Sequence, residues 1–433
     1  MSARITPSAA IARMPEADGR DHGHGTGAPV DGAGAPVDGA GAPVDGAQAP
    51  VDGALESRLI EIIFGEVRDG DPLSPPIVLS TNFKRSGVGE PWEYSYTRTG
   101  NPGRDRLERA LAFLEGGTSA YAFSSGLAAI AMLFRLLPAR SRILVPTELY
   151  GGTDRLLRTI ELPLGAEIVS ADFRDLGALE REASRGAELI LAESPTNPRL
   201  SVYDLRAIGA IAKKAGALFA VDNTFATPLG QRPLELGADL VVHSLTKYLG
   251  GHGDLLGGAI ALKDEALGRR VLRLQRSIGA VLSPFDSFLA TRSLVSFPLR
   301  FRRQAESAAE IAAGLVDHPA LSELLYPGLI SHPDHAIAQA QMAYFGAIIT
   351  LELKGGAGAA KGLIARSRRF TLAEGLGSAE SLFGHPATMS HGSMSAEARA
   401  RAGIRDGHLR LSIGLEDPGD LLIDLLNALG PQS

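Results

Sequence analysis

The chain of 433 residues predicts an α/β protein built on a mostly parallel sheet, with a second and smaller α/β domain toward the C-terminus. The segments ELILAES (188–194), ALFAVDN (217–223) and ADLVVHS (238–244) are short apolar runs that end on polar residues, and a helix-like stretch around Ile208 to Ala215 separates the first two. Runs of this kind fit strands buried on both faces, because crossover helices cover both sides of a parallel sheet. Beyond about residue 300 one helix face (Ala308, Ile311, Ala312, Leu315) precedes the strand-like AIITLEL (347–353), which begins the smaller unit. The length agrees, since it exceeds the size at which single cores stop growing.

From the N-terminus, the heptapeptide GAPVDGA recurs at Gly27, Gly34 and Gly41 and, with Gln48 in place of its first glycine, a fourth time up to Ala54. One small aliphatic per repeat cannot bury enough surface to offset the entropy of a Gly- and Pro-containing chain. Residues 1–56 are therefore expected to be a disordered tail, and His22 and His24 within it to be solvated rather than ligands. Leu107, Ala110, Leu111 and Leu114 then mark one face of a helix that Gly116-Gly117 stops. In YAFSSGLAAIAMLF (121–134) a small-residue turn leads into an apolar helix, so the amides of Gly126 and Leu127 can face an anion, although an ordinary helix start reads the same way.

Composition excludes several classes of function. A net charge of -6 spread along the chain offers no basic surface to nucleic acid. Without cysteine there is neither a disulfide framework nor a thiolate nucleophile, and the ten histidines do not fall into zinc-ligand spacing, so no metal is expected. No apolar stretch reaches the roughly 18 residues that span a bilayer, and the first thirty residues lack the apolar core of a secretory signal. A cytoplasmic protein is expected.

In parallel α/β sheets ligands bind beyond the carboxyl ends of the strands, so Glu193, Asp222 and Ser244 share one candidate edge. HSLTKYLGGHGDLLGG (243–258) sets Lys247 just past the third strand, with Ser244 and Thr246 beside it. Desolvation lowers the pKa of such an amine and makes it a nucleophile and Schiff-base former, and the two hydroxyls suit a phosphate. Taken alone, the motif fits an ordinary loop lysine equally well. Asp222, in AVDNTF, ends the preceding strand, where an ionised carboxylate can keep a pyridine nitrogen protonated. That is what pyridoxal 5'-phosphate requires, and a helix N-cap aspartate is the competing reading. Tyr150, in ELYGGTDR, can stack on a planar ring or simply fill a core.

Together the blocks YTRTGNP (96–102), SSGLAA (124–129), YGGTDR (150–155), ESPTNP (193–198), VDNTF (221–225), HSLTKY (243–248), YPGL (326–329), SAESLFGHPATMSH (378–391) and RLSIGLED (410–417) are in order along the chain. They resemble the Cys/Met-metabolism family of fold-type I pyridoxal phosphate enzymes, the group of cystathionine γ-synthase and cystathionine γ-lyase. The resemblance implies that Lys247 is the Schiff-base and proton-carrying lysine, that Asp222 pairs the ring nitrogen and that Tyr150 stacks on the ring. It implies phosphate contacts from Gly126, Leu127, Ser244 and Thr246, with Tyr96 and Arg98 supplied by a neighbouring subunit of a homo-oligomer. It further implies an N-terminal arm (57–100), a large cofactor domain (101–295) and a small domain (296–433).

Asn197 and Arg410 would hold the substrate carboxylate; the planar guanidinium matches a carboxylate with two hydrogen bonds. Glu374, in FTLAEGLG, matches an acidic position that meets the distal amino group of cystathionine, or else is a surface glutamate. The implied reaction is γ-replacement or γ-elimination on a sulfur- or O-acyl-homoserine-type amino acid. O-acetylhomoserine sulfhydrylase, methionine γ-lyase, β-lyase and a specialised γ-substitution enzyme are the enzymatic alternatives, and a cofactor-binding regulatory protein is the non-enzymatic one. Gly152, where methionine γ-lyases carry cysteine, disfavours that activity, and Arg155 fits the cystathionine group. Gly375 replaces a usual serine near the substrate carboxylate, Leu245 a usual alanine and Gly103 a usual threonine.

Overall fold

The structure is a computed structural model and describes residues 54–65, 69–392 and 394–430. The repeats, His22 and His24 lie outside the described residues. The helix Leu55–Phe64 takes in the last two residues of the expected tail, Leu55 and Glu56. Leu59 and Ile63 are buried in the core, and Glu56 pairs with Arg302. The first helix of the expected arm thus packs on its own chain, and only the chain after it stays largely exposed.

Among the described residues seven strands form the larger sheet: β1 (Ser119–Phe123), β2 (Arg142–Pro146), β3 (Glu167–Ala171), β4 (Leu189–Glu193), β5 (Leu218–Asp222), β6 (Leu240–Ser244) and β7 (Gly258–Leu262). Their order is β1-β7-β6-β5-β4-β2-β3. β7 alone runs antiparallel to its neighbours, so the sheet is mainly parallel. The three apolar runs became β4, β5 and β6, side by side in the middle. Their residues are buried almost throughout, because packed helices leave neither face to water.

Local chemistry starts and stops the helices that place the site. Pro102–Glu115 begins behind Asn101, whose side chain accepts from the Gly103 amide, and ends at Gly116 with a left-handed φ of 66°. Gly126–Arg135 follows β1 and starts at Ser125, whose hydroxyl accepts from the Ala128 amide at 3.0 Å. Losing that cap would cost about 1 kcal/mol. Leu205–Ala215 lies between β4 and β5, as the periodicity predicts.

A second sheet of five strands has the order β10-β11-β12-β9-β8, made of β8 (Leu321–Leu325), β9 (Ile348–Leu353), β10 (Thr371–Leu372), β11 (Leu382–Gly384) and β12 (His408–Ser412). The helix Pro284–Leu315 runs unbroken through the 295/296 boundary expected between domains, and carries Pro298 in its interior. Phe297 and Phe301 on this helix are fully buried, in one cluster with Leu107 and Ile349. One continuous helix therefore contributes to the packing of both sheets.

Candidate active site

β4, β5 and β6 deliver Glu193, Asp222 and Ser244 to one edge, with Glu193 and Asp222 in register. A cavity of about 510 Å³ opens there and is lined by Tyr150, Glu193, Asn197, Asp222, Lys247 and Arg410, among others. Lys247 sits on a helical turn past β6 in which the Gly251 amide donates to the Lys247 carbonyl at 2.7 Å. Burial lowers the pKa of its amine, and the Arg410 guanidinium lowers it further against the opposing pull of Glu374. The sequence-derived lysine is therefore a desolvated amine facing a cavity.

Asp222 is held by Thr224, whose amide (3.1 Å) and hydroxyl (2.6 Å) both donate to Oδ1. The same hydroxyl accepts from the Ser244 amide at 2.9 Å and so ties the ends of β5 and β6 together. Burial raises the pKa of Asp222, while the Thr224 hydrogen bonds and His243 pull it down. A cation placed against this carboxylate would offset the burial and favour the ionised form.

Around Lys247 the structure gathers a turn suited to an anion. Gly126 starts its helix so close to Ser244 that an added Cβ would lie 3.0 Å from the serine Cβ, tight enough that Ser244 would have to give way. Gly126, Leu127, Ser244 and Thr246 all line the cavity. The Thr246 hydroxyl accepts from the Gly257 amide at 3.0 Å, which fixes its rotamer. Tyr96 and Arg98 are not among the lining residues; Tyr96 is exposed, and the Arg98 guanidinium donates to the Arg276 carbonyl.

Opposite the strand ends, Arg410 Nη2 donates to the Gly375 carbonyl at 2.6 Å and Nη1 to Asn197 Oδ1 at 3.1 Å. Its Nε is buried and finds no protein acceptor. A buried guanidinium N–H without a partner is costly, and the planar guanidinium of Arg410 lines the cavity beside Asn197. Glu374 lines the cavity at an exposed position. Leu245 lies wholly in the core, clear of the cavity, and Gly103 donates its amide to the cap of its helix. Neither therefore shapes the pocket wall. Arg155 is exposed and does not line the cavity.

Sequence reasoning missed Thr224, although a threonine two residues past a strand-end aspartate is a local hydrogen-bonding signal. It also missed Arg300, which donates to the Ser296 hydroxyl but mainly to backbone carbonyls that no side-chain motif records. Away from the cavity, His408 Nε2 lies 3.9 Å from both Glu323 and Glu352. Its Nδ1 accepts from the Arg405 amide, so the proton sits on Nε2, the wrong tautomer for a metal ligand there, and Arg199 and Arg405 already pair the two acids.

A desolvated lysine, an aspartate one strand away, a ring-sized wall at Tyr150 and an anion turn together fit pyridoxal phosphate. They define a pyridoxal phosphate enzyme of fold type I. A profile described as Cys/Met metabolism PLP-dependent enzyme matches residues 62–430, and the chain belongs to that family. It is 44% identical over 357 residues to a cystathionine β-lyase of Lactococcus lactis, covering 82% of this chain and 94% of that protein. It is 44% identical over 356 residues to a cystathionine γ-synthase of Mycobacterium leprae, covering 82% and 91%. A solved cystathionine γ-synthase of Xanthomonas oryzae pv. oryzae in complex with cystathionine superposes with a TM-score of 0.84 at 42% identity, covering 87% of this chain and 98% of that one.

Proposed function

We propose that this enzyme performs γ-replacement or γ-elimination on a sulfur- or O-acyl-homoserine-type amino acid, with cystathionine as its product or its substrate. The observation that carries the reading is one cavity joining the Lys247–Asp222–Tyr150 wall to the Asn197–Arg410 pair, with Glu374 at the opening. When bound, pyridoxal phosphate supplies an electron sink that stabilises negative charge on substrate carbon. Asp222 keeps the pyridine nitrogen protonated, and Tyr150 covers the ring. The lowered pKa of Lys247 leaves its Nζ able to take the α-proton and return it at a neighbouring carbon. Arg410 and Asn197 hold the α-carboxylate, and Glu374 meets the distal ammonium of cystathionine.

The amides of Gly126 and Leu127 and the hydroxyls of Ser244 and Thr246 hold the phosphate. Tyr96 and Arg98 complete it from a second copy of the chain, which makes the enzyme a homo-oligomer; their position outside their own chain's cavity supports this. The exposed chain up to residue 100 is the arm that reaches across, residues 101–295 the cofactor domain and 296–433 the small domain. No described helix is long and apolar enough to cross a membrane, and an amino-acid substrate of this kind suits a cytoplasmic setting.

The similarity to a cystathionine β-lyase favours β-elimination as the second reading. A substrate panel separates them by mass. Cystathionine formed from O-acylhomoserine and cysteine identifies a synthase; 2-oxobutyrate, ammonia and cysteine from cystathionine identify a γ-lyase. Pyruvate, ammonia and homocysteine would overturn γ-chemistry in favour of β-elimination.

A further inference from the structure

Glu193 closes β4 with both carboxylate oxygens engaged by backbone. Oε2 accepts from the Tyr150 amide at 2.8 Å and Oε1 from the Asn197 amide at 2.9 Å. The residue is only 6% exposed. We infer that Glu193 is a positioning residue whose single buried carboxyl group sets two opposite parts of the site, the Tyr150 wall and the Asn197–Arg410 carboxylate grip.

Both attached segments meet at that carboxyl group. Tyr150 is the residue before the helix Gly151–Leu156, a start that receives no side-chain cap. Asn197 stands in the turn 194–201, where the Leu200 amide donates to the Thr196 carbonyl and the Ser201 amide to the Thr196 hydroxyl. Those bonds shape the turn, and the Glu193 bond fixes where Asn197 lies relative to β4. From there Asn197 Oδ1 meets Arg410 Nη1 at 3.1 Å. Displacing Asn197 would therefore turn the guanidinium as well.

Only a carboxylate can fill this place. Each oxygen must accept from an N–H, so a glutamine satisfies one amide and turns its own NH₂ toward the other. Burial and the in-register Asp222 both push the Glu193 pKa well up, and the two backbone amides are what favour the anion in their place.

The inference rests on Asn197 and Arg410 receiving the substrate carboxylate, and the test separates the two ideas. The full-length holoenzyme and its Glu193→Gln variant are titrated with cystathionine and with the matching amine that lacks the α-carboxylate, following the visible spectrum of the bound cofactor. The expected result is retained cofactor, an affinity for cystathionine weakened about 10- to 100-fold, the range for losing a hydrogen bond to a charged group, and a clearly smaller loss for the amine. The visible circular dichroism should also change as Tyr150 loosens. Glu193→Asp keeps the charge but shortens the reach, and should show the same selective loss should the glutamine variant not fold. Equal weakening of both probes, or of neither, overturns the positioning role. If the unaltered enzyme binds the amine as tightly as the amino acid, the carboxylate grip itself is refuted and the inference falls with it.

Discussion

Arg410 Nη1 donates a 3.1 Å hydrogen bond to Asn197 Oδ1, joining residues 213 positions apart. The bond links β12 of the smaller sheet to the turn after β4 of the larger one, so the proposed carboxylate grip is defined between the two sheets. Arg410→Lys keeps the charge but not the fork. It should raise the substrate KM by about 100-fold, in line with loss of a bidentate charged contact, while cofactor content stays near wild type. Steady-state kinetics on holoenzyme checks this, and an unchanged KM would remove Arg410 from the grip.

Lys247→Ala should abolish the visible absorbance that bound cofactor gives when joined to the lysine, and reduce turnover by about 10³-fold or more, as expected when a positioned proton carrier is lost. Spectra of the purified variant after cofactor addition decide the point. A retained band would mean that another amine holds the cofactor.

Arg300 is 8% exposed, and among the described residues it forms no ion pair with a carboxylate. Its Nη1 donates to the Tyr248 carbonyl at 3.0 Å, and its Nη2 to the Ser293 carbonyl at 3.0 Å and the Leu249 carbonyl at 3.5 Å. A cation thus caps the turn that carries Lys247, and burial pushes its pKa down to about 10. A Cβ on Gly251, whose φ is +70°, would meet this guanidinium at 1.7 Å and displace it from those carbonyls. Arg300→Lys should lower stability by about 2–3 kcal/mol and weaken cofactor retention, measured by denaturant midpoint and by dialysis. A variant as stable as wild type would show that the turn needs no cap.

Glu108 gives the clearest pH dependence. Its carboxylate accepts from the Ala122 amide at 2.7 Å and from Gln275 Nε2 at 3.1 Å, and Arg104 Nε lies 3.7 Å away. Burial raises its pKa to about 7 from the usual 4.5, with Arg104 opposing and Asp105 adding to the rise. The folded state then binds the proton more tightly than the unfolded chain, so this residue's contribution to stability falls as pH rises from 4.5 to 7. In Glu108→Gln that decline should be missing, which urea unfolding at pH 4.5 and pH 7.5 would reveal as a shallower pH slope than wild type. Equal slopes would show that Glu108 titrates normally.

Much of this molecule was written in short stretches of chain. The apolar runs ending at Glu193, Asp222 and Ser244 became β4, β5 and β6 because a strand buried on both faces needs only an uninterrupted apolar segment. The helix at Leu107 to Leu114 and its glycine stop were legible for the same reason, since period and cap are local properties. The antiparallel direction of β7 was not, because GAIAL reads alike in both directions. Nor was the helix crossing residue 295, which continues through the expected domain boundary.

By itself, then, the sequence determined the strands, the caps and which residue types stand at the edge of the larger sheet, all interactions that span a few residues. Tertiary structure decided which of them meet: Asn197 with Arg410, Glu193 with Tyr150, Arg300 with the Lys247 turn. It also decided that Leu245 fills the core and that Tyr96 and Arg98 stay out of their own chain's cavity. The reason is physical. Such contacts depend on packing between segments far apart in the chain, and several of them end on backbone amides or carbonyls, which carry no mark in the sequence of side chains.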